Sequence, residues 1–361
     1  MIERRGSRKT GVLVTLADPT EKVPQLVAQF LGSTNYKNGY DKHRFGYPAF
    51  PGVAELCNTK STNMNIVVTG SLGHISKPLT AALVQKGHTV TVISSKPEKI
   101  KDIEAIGATA AIGSVEDVAF LATKFKGADL VYTMIPPGNY FDPGFDVMAA
   151  CDQLAGNYAE AVRQSGVQRL IHLSSIGAHL AEGSGLIRLH HRVEGILDKL
   201  SNVAITYMRP VGFYYNLYGF MQMIKSQGVI ALNHGGEDVA IWVSPADIAE
   251  AIAEEVEAPS VGRKVRYVAS DELTCNETAR ILGAAIGKPD LKWIIVSSEA
   301  MQNGYKAIGM PAPIAEGLTE MYAAIHSGLL YEDYYRNRPE ALGKVKLVDF
   351  AKDFAVAFDQ N

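Results

Sequence analysis

Two glycines that directly follow a strand-like segment are the residues best suited to chemistry. The stretch from Val68 to Pro78 reads VTGSLGHISKP, with Gly70 and Gly73 three positions apart. Gly70 lets the chain turn sharply out of a strand, and Gly73 carries no Cβ, so backbone N–H groups at a helix start can approach a pyrophosphate. Those N–H groups have no partner inside the helix, and the helix start carries roughly half a positive charge. The pattern predicts a dinucleotide site; a tight turn without a ligand is the alternative.

The residues after the second predicted strand bear on which dinucleotide binds. Ser76 occupies the place of a third glycine, is small enough to be tolerated, and could reach the phosphate with its hydroxyl. The second strand ends in Ser94, Ser95 and Lys96, with no carboxylate before Glu98. An Asp or Glu there would bind the ribose 2′-OH of NAD, whereas a cation and two hydroxyls suit a 2′-phosphate. The sequence therefore favours NADP(H) over NAD(H); Lys96 as a merely solvated loop charge is the alternative.

These residues need a βαβ framework, and the hydrophobic pattern supplies one from Met64 onward. Strands are predicted over residues 65–69, 89–94, 109–112, 130–134, 170–174 and 203–208, with helical stripes between them. Strands separated by helix-length segments predict right-handed crossovers and a parallel sheet. The predicted fold class is therefore α/β, a Rossmann-like doubly wound parallel sheet with a small C-terminal substrate lobe.

The chain is predicted to divide into three parts. Residues 1–63 are expected to be a loosely ordered N-terminal extension, and we hypothesise that Met64 is the functional start and that the extension is dispensable. Residues 64–210 are predicted to form the NAD(P)-binding Rossmann domain. Residues 211–361 are predicted to form the C-terminal substrate lobe, with some elements returning to the Rossmann sheet. The elements expected after residue 210 are a helix over 245–255, a strand near 265–268, and helices over 276–286 and 314–325.

Composition and charge narrow the function classes. The 361 residues carry 35 basic and 38 acidic side chains, a formal net charge of −3, which leaves no basic excess for nucleic acid or an anionic membrane. Cys57, Cys151 and Cys275 stand apart, which fits neither a disulfide framework nor a zinc ribbon and suits a reducing compartment. No apolar run reaches the ~20 residues that span a bilayer, and no secretory signal is recognisable. A cytoplasmic protein is expected.

Several segments together resemble the NmrA-like branch of the atypical short-chain dehydrogenases, which includes NAD(P)H quinone oxidoreductases, azoreductase-like proteins and redox-sensing regulators. They are the turn over 70–78, the segment 132–137, the pair Ser174-Ser175, the helix with Val193-Glu194, and Arg209-Pro210. The resemblance covers about residues 64–345. It implies a Rossmann fold with strand order 3-2-1-4-5-6, NADP(H) binding, and a substrate cleft between the sheet edge and the C-terminal lobe.

The resemblance also assigns the cofactor residues position by position. The pyrophosphate turn would be formed by Gly70, Ser71, Leu72, Gly73, His74 and Ile75. The adenosine ribose would fall to Ser94, Ser95 and Lys96, where relatives often carry an arginine at the place of Ser95. The path from adenine to nicotinamide would be lined by Met134, Ile135 and Pro136. The nicotinamide ribose would lie beside Ser174 and Ser175.

The Tyr-x-x-x-Lys pair of typical short-chain dehydrogenases is missing. A helix is predicted with Val193 and Leu197 on its buried face; His190 stands in the lysine's place on that face, and Leu186 in the tyrosine's place. NmrA-type quinone reductases are similar in having a histidine here. His190 could orient the ribose or donate a proton to a reduced acceptor, or it is a hydrogen-bonded histidine without chemistry. His191 points about 100° away around the helix, so no metal site is expected.

An aromatic segment follows Arg209-Pro210 and, by the resemblance, borders the nicotinamide. Tyr214 is the second catalytic candidate. Phe213, Tyr215 and Asn216 are substrate candidates, because aromatic faces suit a flat acceptor; ordinary packing of the lobe is the alternative.

These observations predict an NAD(P)H-dependent oxidoreductase that passes a hydride from nicotinamide directly to a small planar, quinone-like acceptor. Such a transfer needs no strong general acid, so a missing tyrosine is tolerable. A non-catalytic NADP(H)-binding redox sensor that acts through a protein partner is the alternative, and isomerase or reductase action on a specific metabolite is a third. A small-molecule substrate and a homodimer are the expected partners, without nucleic acid or membrane.

Overall fold

The structure is a computed structural model and describes residues 63–259 and 261–360. Residues 1–62 lie outside the described residues, and with them Cys57 and nearly all of the predicted N-terminal extension. The hypothesis that Met64 is the functional start therefore stays a prediction.

Seven parallel strands form the central sheet. In chain order they are β1 (Asn65–Val68), β2 (Thr89–Ser94), β3 (Thr109–Ile112), β4 (Leu130–Met134), β5 (Arg169–Leu173), β6 (Ala204–Pro210) and, from much later in the chain, β10 (Arg263–Val268). The spatial order β10-β6-β5-β4-β1-β2-β3 confirms the predicted order 3-2-1-4-5-6 and adds a seventh strand beyond β6. The inner strands are apolar and buried on both faces, as a parallel sheet covered by helices requires.

Helices cover both faces of this sheet. One layer holds α1 (Ser76–Gln85), α2 (Ile100–Glu104) and α7 (Pro245–Glu257); the other holds α3 (Val118–Phe125), α4 (Val147–Ser165) and α5 (Arg188–Leu197). Asp146 starts α4 by accepting hydrogen bonds from the backbone N–H groups of Met148 and Ala149. Gly166 ends the same helix in the left-handed conformation, at φ +75°. The architecture is therefore the predicted doubly wound α/β fold.

A smaller lobe begins at the carboxyl end of β6. Strands β7 (Gly212–Phe213), β9 (Val239–Val243) and β11 (Asp271–Thr274) form one sheet in the order β11-β9-β7, and β8 (Val229–Leu232) pairs with β12 (Lys292–Ile295). The helices are α6 (Met221–Gln227), α8 (Cys275–Ala285), α9 (Ser298–Ala307), α10 (Ala312–His326), α11 (Glu332–Arg336) and α12 (Leu347–Gln360). Rings fill the interior: Trp293 lies 5.4 Å from Phe220 and 6.4 Å from Trp242, between centroids. Aromatic burial therefore holds much of this lobe together.

Two elements of the second half return to the central sheet. Strand β10 pairs with β6, and α7 packs against α1. Asp247, in the first turn of α7, is buried and accepts hydrogen bonds from the Ser270 hydroxyl (2.6 Å) and from the N–H groups of Lys344 (3.0 Å) and Val345 (3.1 Å). This carboxylate ties the approach to α12 to the Rossmann layer. Within the described part of the chain, every helix is too short or too polar to traverse a bilayer.

Candidate functional site

The turn between β1 and α1 is pinned to its neighbours. Gly70 (φ +86°) and Ser71 (φ +54°) both adopt the left-handed conformation. The N–H of Ser71 donates to the carbonyl of Ile93 (3.1 Å), and its hydroxyl donates to the hydroxyl of Ser94 (2.9 Å). A Cβ on Gly70 would lie 2.7 Å from Ser76 Oγ, so only glycine fits without a shift there. The turn is therefore held to the end of β2 in one conformation.

This turn leaves backbone donors at the start of α1. Among the described residues, no hydrogen-bond partner is found for the N–H groups of Leu72, His74, Ile75 and Ser76. Adjacent N–H groups at a helix start form an anion site, since the helix dipole adds to their partial positive charge. A Cβ on Gly73 would meet only the Gly70 carbonyl oxygen, at 3.2 Å. The geometry therefore suits a diphosphate in the predicted place.

Ser76 does not face this anion site with its hydroxyl. The hydroxyl is buried and donates to the carbonyl of Thr69 at 3.0 Å. The expectation that it reaches phosphate is therefore wrong: the side chain fixes the turn, and only the backbone N–H of Ser76 remains available.

The end of β2 separates into a buried and an exposed part. Ser94 is buried; besides the bond from Ser71, its oxygen accepts from the N–H of Lys96 at 3.2 Å. Ser95 and Lys96 are exposed, and no described carboxylate forms an ion pair with the Lys96 ammonium. Ser94 thus organises the turn, whereas the side chains of Ser95 and Lys96 point into solvent-exposed space beside it.

The end of β4 reaches the same turn. Met134 is half-buried, with its Cγ 3.2 Å and its sulfur 3.3 Å from where a Gly70 Cβ would lie. Its carbonyl accepts a hydrogen bond from the Tyr158 hydroxyl of α4 at 3.0 Å. Ile135 is half-buried and Pro136 is exposed. The structure thus brings the end of β4 beside the turn of residues 70–75, called the phosphate turn below, as the predicted cofactor path would require.

Ser174, at the end of β5, belongs to a buried polar network. Its hydroxyl donates to Glu194 Oε1 at 2.5 Å. Glu194 pairs with Arg209 through Nε (3.0 Å) and Nη2 (2.5 Å), and Arg209 Nη1 reaches Asp333 Oδ2 at 3.2 Å. Ser174, Glu194 and Arg209 are 3%, 7% and 6% exposed, so these three side chains are nearly closed to water. Ser175 beside it is half-buried.

His190 lies near a second histidine, His172. Its ring is partly exposed but its Nδ1 is enclosed, with no hydrogen-bond partner among the described residues. Burial lowers the pKa of His190 to about 4. His172 on β5 is buried, bonded through Nδ1 to Thr133 Oγ1 at 2.9 Å, and burial with the nearby His190 lowers its pKa to about 3. Both imidazoles are therefore neutral at pH 7, and His190 offers hydrogen bonds rather than an acidic proton.

His191 turns away from His190. Its Nδ1 donates to the carbonyl of Ala178 at 3.0 Å. No group of three or more His, Cys, Asp or Glu side chains in the described part of the chain could hold a metal ion.

The aromatic segment after β6 splits between two locations. Tyr214 is buried in the lobe, where its hydroxyl donates to Asp271 Oδ2 (2.7 Å) and its ring stacks on Phe350 at 5.5 Å. This does not support a catalytic role for Tyr214, because its hydroxyl is committed inside the lobe. Tyr215 instead stacks on His74 of the phosphate turn, with ring centroids 4.9 Å apart.

The two other substrate candidates flank Tyr215. Phe213 lies with its ring 4.9 Å from the Tyr215 ring, and Asn216 is exposed. The sequence grouped Phe213, Tyr215 and Asn216 with the substrate, but the structure puts Tyr215 against His74 of the turn and Phe213 against Tyr215.

A cavity of about 480 Å³ opens between three segments that are far apart in the chain. These are the loop after β4, the segment before α5 and the start of α10. Its apolar lining residues are Pro143, Phe145, Met148, Leu186, Pro311, Pro313 and Ile314. Its charged lining residues are Asp146, Arg188, Glu316 and Glu320. Its size is that of sites for small organic ligands. Leu186, in the tyrosine's place, lines it, whereas Phe213, Tyr215 and Asn216 do not.

One wall of this cavity is a contact between two backbones. A Cβ on Gly185 would lie 1.9 Å from the Gly317 carbonyl oxygen, and a Cβ on Gly317 would lie 2.8 Å from Leu186 Cδ2. The sequence does not single out Gly185 and Gly317, the loop residue Phe145, or Met148 in the first turn of α4. The long Gly- and Pro-rich stretch after β4 was the available signal, since loops at the carboxyl edge of a parallel sheet bind ligands.

Comparisons with known proteins agree with this geometry. The model of the NmrA-like family matches residues 62–347. An NAD(P)H azoreductase from Xenophilus azovorans is 23% identical over 301 residues, which are 81% of this chain and 99% of that protein. A triphenylmethane reductase from Citrobacter sp. superposes with a TM-score of 0.65 at 21% identity, over 81% of this chain and 99% of that one.

An NADPH-dependent quinone oxidoreductase from Escherichia coli also superposes with a TM-score of 0.65, at 20% identity, over 80% of this chain and 98% of that one. At these identities the solved structures establish the shared fold. The family match spans most of the chain and includes the phosphate turn, both histidines and the cavity walls. The resemblance predicted from the sequence is confirmed: the protein belongs to the NmrA-like family.

Proposed function

We propose that this oxidoreductase passes a hydride from NADPH to a small planar acceptor of the quinone class. The oxidoreductase class follows from the family and from relatives that are NAD(P)H reductases. The observation that carries the choice of acceptor is the apolar cavity lined by Leu186, where typical short-chain dehydrogenases have an acidic tyrosine.

The cofactor is assigned to the carboxyl edge of β1, β2 and β4. The N–H groups of Leu72, His74 and Ile75 would bind the diphosphate, and the exposed Ser95 and Lys96 would bind a 2′-phosphate. A carboxylate that would favour NAD is missing at the end of β2. These features support NADPH. When bound, the nicotinamide supplies the hydride, and the protein supplies its position.

The acceptor is assigned to the cavity because most of the residues that line it are apolar. A quinone that takes up a hydride becomes a hydroquinone anion, which is stabilised by its new aromatic ring and then takes one proton. Leu186 cannot donate that proton, and His190 is neutral because its pKa lies near 4. The proton therefore comes from water at the open rim. An acceptor that needs a strong acid during the transfer, such as a simple ketone, is disfavoured.

His190 is assigned a positioning role rather than an acidic one. A neutral imidazole on the sheet-facing side of α5 can hold a ribose hydroxyl, which is the task of the lysine that it replaces. Of its two ring nitrogens only Nδ1 is enclosed, so Nε2 is left for a ligand. The ring stays neutral over the physiological pH range, and we expect turnover to show no titration of His190 between about pH 6 and 8.

Turnover of NADPH with a panel of quinones, azo dyes and simple ketones tests the proposal. The Met148→Trp variant should narrow the cavity, raise KM for a quinone at least several-fold and leave NADPH binding unchanged. Val356→Trp is the matched control, since Val356 is exposed on α12 away from the cavity. Silence across the whole panel together with tight NADPH binding would instead favour the sensor that acts through a protein partner.

A further inference from the structure

Phe145 alone brings an aromatic ring to the cavity, among the described residues that line it. The other apolar side chains of the lining belong to proline, valine, leucine, isoleucine and methionine. The ring of Phe145 is half-buried, and no ring contact within the described part of the chain involves it. Aromatic rings stack favourably on other flat rings, beyond what the buried area alone contributes. Phe145 therefore offers a flat ligand a ring that the protein leaves unstacked.

The backbone of Phe145 is fixed on both sides. Its N–H donates to the carbonyl of Asp142 at 3.0 Å, and Oδ1 of Asp142 accepts from the N–H of Gly144 at 2.9 Å. On the other side, Asp146 caps α4 by accepting hydrogen bonds from two backbone N–H groups of the first helical turn, both at 3.0 Å. An Asx turn and a helix cap therefore hold the Cα of Phe145 in one place.

The ring of Phe145 is held by Gly138, which lies in the same loop after β4. A Cβ on Gly138 would lie 2.2 Å from Cε1 and 2.3 Å from Cζ of the ring, and 3.3 Å from Cδ1. The glycine therefore approaches one edge of the ring and covers little of either face. A side chain at position 138 would displace the ring, because packed atoms cannot overlap. The bare backbone of Gly138 thus sets where the ring lies.

We propose that Phe145 is the platform on which the acceptor stacks, and that it makes the cavity select fused two-ring quinones over single-ring quinones. This rests on the proposed function, because it takes the cavity as the site of the acceptor. In an offset stack, a two-ring quinone overlaps a phenyl ring over a larger area than a single-ring quinone does. Phe145 has no group that transfers a proton or a hydride, so it contributes to binding only.

Steady-state turnover of NADPH by the full-length protein with 1,4-naphthoquinone and with 1,4-benzoquinone tests the platform. Phe145→Leu keeps an apolar side chain but removes the flat ring. Its KM for the naphthoquinone should rise about twofold to tenfold, the effect of one aromatic stack, and its KM for the benzoquinone should rise less. The kcat values should stay close to those of the wild type, since a contact made equally with substrate and transition state changes binding alone.

Gly138→Ala tests the same ring from the other side. Its added carbon should displace the ring of Phe145 and raise the KM for the naphthoquinone more than that for the benzoquinone. In the Phe145→Leu background the same change should have little further effect, because leucine lacks Cε1 and Cζ.

Gly113→Ala is the matched control. A Cβ on Gly113 would lie 2.5 Å from Cζ of Phe120, a ring that does not line the cavity. This variant should leave the ratio of the two KM values unchanged, and an effect on NADPH binding would move both values alike.

Phe145→Leu with wild-type KM values for both quinones would overturn the proposal, and so would an equal rise in both, which would indicate apolar contact without stacking. Either result is decisive even if Gly138→Ala does not fold. In both cases a wild type that reduces quinones leaves the proposed function standing. A wild type that binds NADPH but reduces neither quinone would refute the proposed function, and the platform with it.

Discussion

Replacing Gly185 with alanine should destabilise the protein and disturb the cavity at the same time. Gly185 has φ +55°, and its added Cβ would lie 1.9 Å from the Gly317 carbonyl oxygen and 2.6 Å from the Met321 nitrogen. Both atoms are backbone of α10, so neither can swing aside. The helix has to move away from the segment before α5.

The size of the effect follows from two separate costs. An L-residue in the left-handed conformation costs about 1–2 kcal/mol. Forcing one extra carbon into a packed contact costs about 1–3 kcal/mol more. The free energy of unfolding should therefore fall by about 2–5 kcal/mol for Gly185→Ala.

Gly166→Ala is the matched control. Gly166, at the end of α4, also has a positive φ (+75°), but its added Cβ would meet nothing within 4 Å. It should show only the conformational cost of about 1–2 kcal/mol. The lower entropy of alanine in the unfolded chain is common to both variants and cancels in their comparison.

Urea unfolding followed by circular dichroism measures both variants, and kinetics with a quinone measures the cavity. Gly185→Ala should unfold at a lower urea concentration than Gly166→Ala and show a raised KM for the acceptor, with NADPH binding unchanged. Equal destabilisation of the two variants would show that α10 is not in contact with Gly185, and the description of the cavity wall would then be wrong.

Three other outcomes are expected. Gly73→Asp should abolish NADPH binding in a fluorescence titration, because it puts a negative side chain beside the diphosphate. Gly73→Ala, which adds no charge, should still bind NADPH. Equal binding of NADPH by Gly73→Asp and the wild type would contradict the phosphate site. Lys96→Ala should raise the Kd for NADPH about threefold to fivefold and leave the Kd for NADH unchanged. Lys101→Ala, at another exposed lysine, is the control. An equal loss of affinity for both nucleotides would refute the assignment of Lys96 to the 2′-phosphate. Burial lowers the pKa of His172 to about 3 and that of His234 to about 4. The unfolded chain therefore binds protons that the folded chain excludes, and the melting temperature should fall as the pH drops below about 6.5. A melting temperature that stays constant from pH 7 to 4.5 would contradict this.

The sheet and the phosphate turn could be predicted from the sequence because their signals are local. Strands β2, β3 and β4 begin and end at the predicted residues, since short apolar runs there are bounded by glycine or polar residues. The turn at Gly70 requires a left-handed conformation that glycine supplies, and this requirement is visible in the sequence itself.

The pairing of β10 could not be predicted in the same way. Its segment, RKVRYV, has basic residues at three of six positions, which suits an edge strand but does not say which sheet it joins. The choice of β6 as its partner depends on contacts between residues about sixty positions apart. Such pairings leave no local trace in the sequence.

The cavity and the hydrogen bonds of single side chains could not be predicted from the sequence for a related reason. Met148, Leu186 and Ile314 meet only after folding, so no spacing in the chain reveals them together. Tyr214 has the chemistry of a catalytic residue, but Asp271, from a different strand, holds its hydroxyl inside the lobe. Residue type alone cannot distinguish a reactive hydroxyl from a committed one.

Strand β10 comes from the second half of the chain but completes the central sheet, and this has a consequence for protein engineering. A gene fragment that stops at residue 210 would encode six of the seven strands of the central sheet and leave the hydrogen-bonding edge of β6 bare. Bare edges recruit strands from other molecules, so this fragment should precipitate or form inclusion bodies instead of behaving as a stand-alone nucleotide-binding module. Chimeras that borrow acceptor preference from another family member should therefore keep β6 and β10 together and exchange only the cavity segments, which are the loop after β4, the segment before α5 and the start of α10.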